Sequence, residues 1–206
     1  MKFVWITGYS GSGKTTLELN LRRQLDVLYS RDKCPAAGDI AFFGCCIKRN
    51  GKIRNNFGTD LYSSEPLIEV IERLNGNVKY LVSNGVGFPF SKRSMKRLLE
   101  IGTDITVFFN NRSKQRAFKQ FNYRRENCQR FIRNPDKEKV WNCYKDGHES
   151  ARKKWMAYAE RFDNIQVIDP LKSMGTRDRV KLLLKEIETE MKHANIKRCF
   201  WKKRTE

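Results

Sequence analysis

The stretch Phe3–Thr16, FVWITGYSGSGKTT, constrains this chain more than any other part of it. Its first half is a short apolar run, and Lys2–Thr7 reads as a buried strand. Its second half sets Gly8, Gly13, Lys14 and Thr15 in the pattern G-x-x-x-x-G-K-[ST]. Leu17, Leu21, Leu25 and Leu28 then recur at helical spacing, so a helix begins inside the motif. Strand, glycine-rich turn and helix in that order make an anion cradle. Glycines let backbone N–H groups approach phosphate oxygens and accept left-handed dihedrals, and the helix N-terminus adds a positive field. Gly8, Gly11 and Gly13 form the turn, and Ser10, Ser12 and Thr16 complete the candidate binding loop. Lys14 is expected to reach the β- and γ-phosphates of a nucleoside triphosphate, and the Thr15 hydroxyl to hold Mg²⁺. The plain alternative, a glycine-rich turn with no ligand, is weakened by the flanking strand and helix.

The rest of the chain continues the alternation. Ile40–Ile47, Val78–Ser83, Asp104–Phe109 and Ile165–Ile168 read as strands. Asn50–Gly51 signals a turn, after which Lys52–Asn55 pairs back on the second strand. Asn56–Ser64 reads as a loop. Helical periodicity covers Glu65–Leu74, Lys92–Ile101, Arg112–Arg133, Lys137–Phe162 with a break near Asp146–Gly147, and Arg177–His193. The fold class is therefore α/β: a parallel five-stranded sheet flanked by helices. Residues 1–194 make one domain, 112–162 form a basic helical lid or insertion within it, and 195–206 are a basic tail.

Lys and Arg outnumber Asp and Glu by 42 to 23, a net charge of +19. A pocket for free nucleotides needs only local positive charge. An excess spread along the chain points to a polyanion, with DNA or RNA the simplest case. No run approaches the roughly 20 apolar residues of a membrane span. The first strand starts at Lys2 and leaves no room for a signal peptide, so a cytoplasmic location and reduced thiols are expected. Cys128, Cys143 and His148 match no common zinc spacing.

Nucleotide binding alone does not name a reaction. The chain has no clear N-K-x-D base-reading motif, and its third strand ends VSNG without the usual strand-end aspartate. Asn84 there can still hold a metal-bound water. These gaps weaken a hydrolase or motor more than a kinase. A kinase needs a group to orient the attacking hydroxyl or take its proton. Asp60, in the sequence GTD, and Asp39, before the second strand, are the candidates. A helix cap or turn carboxylate is the competing role for Asp60. Eight basic residues crowd Arg112–Arg133 with Phe118, Phe121, Tyr123 and Phe131 between them. Arg116, Arg124 and Arg125 are candidates for a lid that closes on the phosphates. A nucleic-acid face, or an amphipathic helix with its aromatics turned inward, are the alternatives.

The loop GYSGSGKTT, the five-strand layout, the basic lid stretch and the late strand IQVIDP resemble the nucleoside-monophosphate-kinase-like branch of P-loop kinases. With FGTD and the high charge, the chain is similar to small bacteriophage P-loop kinases, among them the hydroxymethyluracil DNA kinases. The resemblance covers most of the chain, but only the loop is motif-grade, and the acidic motifs of thymidylate and adenylate kinases are missing. It implies ATP with Mg²⁺ and phosphoryl transfer to a base hydroxyl in DNA, in the host cytoplasm if the chain is phage-encoded. The alternatives are a deoxynucleoside monophosphate kinase, a 5′-hydroxyl polynucleotide kinase and a nucleotide-regulated DNA-binding protein. If the acceptor base leaves a duplex, an aromatic should receive it, with Tyr9, Tyr62, Phe88 and Phe90 as candidates.

Overall fold

A computed structural model describes residues 1–29, 40–43, 52–55, 60–62, 67–85, 87–111, 113–127 and 137–193. Among the described residues seven strands form one sheet: β1 (Lys2–Thr7), β2 (Ile40–Phe43), β3 (Lys52–Asn55), β4 (Asp60–Tyr62), β5 (Tyr80–Gly85), β6 (Asp104–Phe109) and β7 (Ile165–Ile168). The helices are α1 (Lys14–Tyr29), α2 (Leu67–Leu74), α3 (Lys92–Glu100), α4 (Lys114–Asn127), α5 (Lys137–Ala159) and α6 (Thr176–His193). Strand order is β4-β3-β2-β5-β1-β6-β7. The five strands β2, β5, β1, β6 and β7 are parallel. They are the five expected from the sequence, and β3 pairs antiparallel with β2 as the turn signal required. β4 is an addition, because the segment read as a loop at Asn56–Ser64 contributes Asp60–Tyr62 as an antiparallel edge strand on β3.

Alternation along β1 separates two cores. Phe3 and Trp5 face a cluster built with α2, α3 and Trp155 of α5. Val4 and Ile6 face Leu17, Leu21 and Leu25 of α1 with Val180, Leu183 and Ile187 of α6. Both faces of β1 are thus covered, as expected for a near-continuous apolar strand in a parallel sheet. Helix α5 runs unbroken through Asp146–Gly147, where a break was expected. An interior glycine costs a helix about 1 kcal/mol. Here a buried stripe offsets that cost: His148, Ala151 and Trp155 recur along one face and are 1%, 2% and 0% exposed. Among the described residues no helix is long and apolar enough to cross a membrane. The basic tail at 195–206 lies outside the described residues.

Candidate active site

The parallel strands direct their C-terminal ends to one edge of the sheet, where ligands of open α/β sheets bind. β1 enters the glycine-rich loop there, and α1 leaves it. Gly11 and Gly13 adopt φ of 82° and 87°, the left-handed region that favours glycine. The Lys14 ammonium is buried and donates to the carbonyls of Gly8 at 3.1 Å and Tyr9 at 2.8 Å. It therefore holds the loop curved around its own positive charge. Ser12 donates its backbone N–H to Tyr9 O, closing the turn. Just past β6, Asn110 Nδ2 donates to Ser12 O at 3.0 Å and braces the loop from outside.

These residues fit a bound triphosphate. The Ser12 hydroxyl is buried with no hydrogen-bond partner among the described residues. A Cβ on Gly8 would stand 2.8 Å from that hydroxyl and 2.9 Å from Asn110 O, so only glycine leaves the cradle open. Thr15 is half-buried at the first turn of α1 and Thr16 is exposed. A cleft of about 560 Å³ opens beside the loop, lined by Gly11, Gly13, Thr16, Arg116, Lys119, Gln120 and Tyr123. Arg116, one of the three lid candidates, lines this cleft beside the loop. Arg124 and Arg125 lie on α4, but their side chains are outside the described residues. The aromatics of α4 divide: Phe121 is buried with Tyr9, Ala117 and Trp141, whereas Tyr123 is 61% exposed.

Helix α4 sits directly on the loop. A Cβ on Gly11 would meet Ala117 O at 2.5 Å, besides being strained at its positive φ. Gly11→Ala is expected to lower stability by about 2 kcal/mol in urea unfolding and to lift α4 from the loop.

Of the two carboxylates expected to serve the acceptor, Asp60 is not brought here. Asp60, Arg54, Phe42, Val82 and Val4 form one row across the sheet. Asp60 is therefore level with the middle of β1 and four strands away, about 19 Å at ordinary strand spacing. Its sequence context placed it in a loop, where the edge pairing was invisible. Asp39 lies outside the described residues. Its neighbour Ile40 is level with Tyr80 and Lys2, at the end of β1 opposite the loop. Of the aromatic candidates, Tyr9 packs 4.2 Å from the His148 ring. Phe88 and Phe90 belong with Trp155 in the core. The Tyr62 side chain is outside the described residues.

Two titratable groups not singled out for this site in the sequence do come to it. Asn84, fully buried at the end of β5, donates through Nδ2 to the Glu18 carboxylate of α1. Glu18 is 4% exposed, and burial pushes its carboxyl up to about 7, partly offset by the nearby Arg22 guanidinium. His148 of α5 lies between Tyr9 and Phe109, and among the described residues neither ring nitrogen has a hydrogen-bond partner. Burial, then Lys14 and Arg152, pushes its imidazole down to about 4, against the opposing pull of Glu149 and Asp169. The only sequence signals were a glutamate set between core leucines and a histidine in register with Ala151 and Trp155.

The two shifts act oppositely on stability. Between its ordinary value of 4.5 and about 7, native Glu18 keeps a proton that the unfolded chain has released. Stability from this group is therefore lost as pH rises, by about 3 kcal/mol in all. Native His148 stays neutral between 6.5 and about 4, where the unfolded chain takes up a proton. Its stability is lost as pH falls, by about the same amount. The two windows nearly cancel in the native protein. Glu18→Gln is expected to become acid-sensitive, and His148→Phe to lose stability toward neutral pH. Urea midpoints at about pH 4.5 and pH 7 measure both.

The chain matches no protein-family model and no curated protein. Among solved structures it is similar to a sugar kinase from Janibacter sp., 11% identical, with a TM-score of 0.44 over 91% of this chain and 95% of that one. It is also similar to a shikimate kinase from Bacteroides thetaiotaomicron, 14% identical, with a TM-score of 0.43 over 91% of this chain and 98% of that one. At such identities neither protein's substrate passes to this chain. Its own strand order, loop and leading helix make it an α/β protein of the phosphate-loop type.

Proposed function

We propose that this chain is an ATP-dependent kinase that phosphorylates a hydroxyl on a nucleic-acid base, most specifically the hydroxymethyl group of hydroxymethyluracil in DNA. The observation that carries the reading is Lys14, buried in a glycine loop at a helix N-terminus beside a cleft that Arg116 and Lys119 make cationic. In the step, the acceptor oxygen bonds to the γ-phosphorus while the bond from that phosphorus to the β–γ bridging oxygen breaks. The hydroxyl proton leaves to solvent or to a base, and ADP departs. The loop N–H groups hold the phosphates, Lys14 offsets charge on the transferring group, and Arg116 approaches from α4. Thr15 would hold Mg²⁺, which supplies charge neutralisation on the phosphate oxygens when bound.

The polymeric acceptor is supported by charge. Lys114, Arg116 and Lys119 on α4 and Arg152, Lys153 and Lys154 on α5 are exposed, in a chain of net charge +19. Such a surface suits a row of phosphates, each neutralised by a cation that displaces counterions.

The test is incubation with γ-labelled ATP, Mg²⁺ and three acceptors: free deoxynucleoside monophosphates, unmodified DNA with 5′-hydroxyl ends, and an end-blocked duplex containing hydroxymethyluracil. Label in the last is the expected result. Label in the monophosphates alone would overturn the polymeric acceptor, label at 5′ ends alone would make the chain an end kinase, and label in none would overturn transfer to nucleic acid.

A further inference from the structure

We propose that Glu18 is the protein carboxylate that anchors the divalent cation of the donor triphosphate, in place of an acid at the end of β5. The inference rests on the kinase reading above and adds to it a residue for the metal. Mg²⁺ at a phosphate site is usually held by one or two carboxylates, directly or through water, together with phosphate oxygens. The strand beside β1 is where such an acid is expected, but β5 ends in Ser83, Asn84 and Gly85. The Ser83 hydroxyl is turned to Phe43 O at 2.7 Å. An amide at Asn84 brings no charge to offset a cation.

Glu18 supplies the missing charge from the other side. It follows Thr15 by three residues, so both lie on one face of α1. Its carboxylate accepts a hydrogen bond from Asn84 Nδ2, which draws it to the end of β5. Asn84 in turn is paired with Ile6, two residues before the loop. The carboxylate therefore sits between α1 and the end of β5, beside the strand that leads into the loop. Glu18 is 4% exposed and has no ion pair among the described residues. An ionised carboxylate so placed is costly unless a cation compensates it. Arg22, the nearest cationic influence on it, lies over the Phe42 ring at 5.9 Å. Among the described residues no group of three His, Cys, Asp or Glu forms a ready-made metal cage. One carboxylate, one hydroxyl and the substrate phosphates are the sparse set that Mg²⁺ accepts and that a protein-only site does not need. Asn84 is then a positioning residue, holding the carboxylate through its amide.

The experiment is calorimetric titration of ATP with chelator and with Mg²⁺, on wild type, Glu18→Gln and the double variant Glu18→Gln/Asn84→Asp. Wild type should bind ATP more tightly with Mg²⁺. Glu18→Gln should keep its metal-free affinity within about threefold and lose about 10–100-fold of the metal-dependent part. The double variant returns a carboxylate to β5 and should regain much of that loss. Mn²⁺ in place of Mg²⁺, followed by water-proton relaxation, should show weaker retention of the ion in the Glu18→Gln complex. An unchanged Mg²⁺ enhancement in Glu18→Gln would overturn the proposal. Should that variant fail to fold, Glu18→Asp carries the same test, since withdrawing the carboxylate by one methylene must weaken the metal-dependent part alone. A wild-type protein that binds no ATP with or without Mg²⁺ would sink the kinase reading itself, and this inference with it.

Discussion

Lys14→Ala is expected to lower phosphoryl transfer by about 10²–10³-fold, the usual cost of removing one preorganised charge from a transferring group. Lys14 carries two tasks. Its ammonium is the cation proposed to meet the β- and γ-phosphates, and it also ties the carbonyls of Gly8 and Tyr9 together. Alanine removes both, so the loop should loosen as well as lose charge, with a stability cost of about 1–3 kcal/mol. Lys14→Arg is not expected to rescue, because a planar fork cannot occupy the space of a compact ammonium that is only 8% exposed. Single-turnover transfer with labelled ATP reads the chemical step. Salt-dependent DNA binding, measured alongside, should be nearly unchanged. A variant that instead altered DNA affinity while wild type showed no transfer would favour a nucleotide-gated binding protein.

Arg179→Met is expected to cost about 3–5 kcal/mol, and to lower the melting temperature by about 10 °C for a chain of this size. Arg179 is fully buried. It donates to the carbonyls of Met174, Leu171 and Asn111 at 3.0, 2.8 and 2.8 Å, and to the Asn110 side chain at 3.2 Å. One guanidinium thus ties the loop after β7 and the first turn of α6 to the end of β6. Methionine keeps the volume and leaves those acceptors buried without donors, which is the costly half of a lost hydrogen bond. Lysine has too compact a head to span the same acceptors. The effect should reach the site: Asn110, held by Arg179, is the residue that braces Ser12. Weaker ATP binding should therefore accompany the stability loss, and urea unfolding with and without ATP separates the two.

The acceptor side illustrates how far local pattern carries. Asp60 has the small neighbours and polar context of an active-site carboxylate, yet β3 and β2 stand between it and the strand next to β1. Nothing in its own segment specifies how many strands intervene. His148 matches no zinc spacing with Cys128 and Cys143, and nothing near it in sequence points to the loop, yet its ring packs on Tyr9 there. Gly147 looked like a helix break because glycine is locally unfavourable, and the buried faces on either side of it were not visible in sequence.

By itself the sequence determined those features whose cause lies within a few consecutive residues. The glycines at 8, 11 and 13 mark a tightly curved loop between strand and helix, which Gly11 and Gly13 enter at left-handed φ. The five apolar runs declare buried parallel strands, because a strand covered on both faces has no polar side to alternate. Tertiary structure alone decided which distant groups meet: Glu18 with Asn84, His148 with Tyr9, and Ser12 with Asn110, itself held by Arg179. Those meetings depend on strand order, register and burial, which are set by the packing of the whole sheet and leave no mark on the neighbours of any one residue.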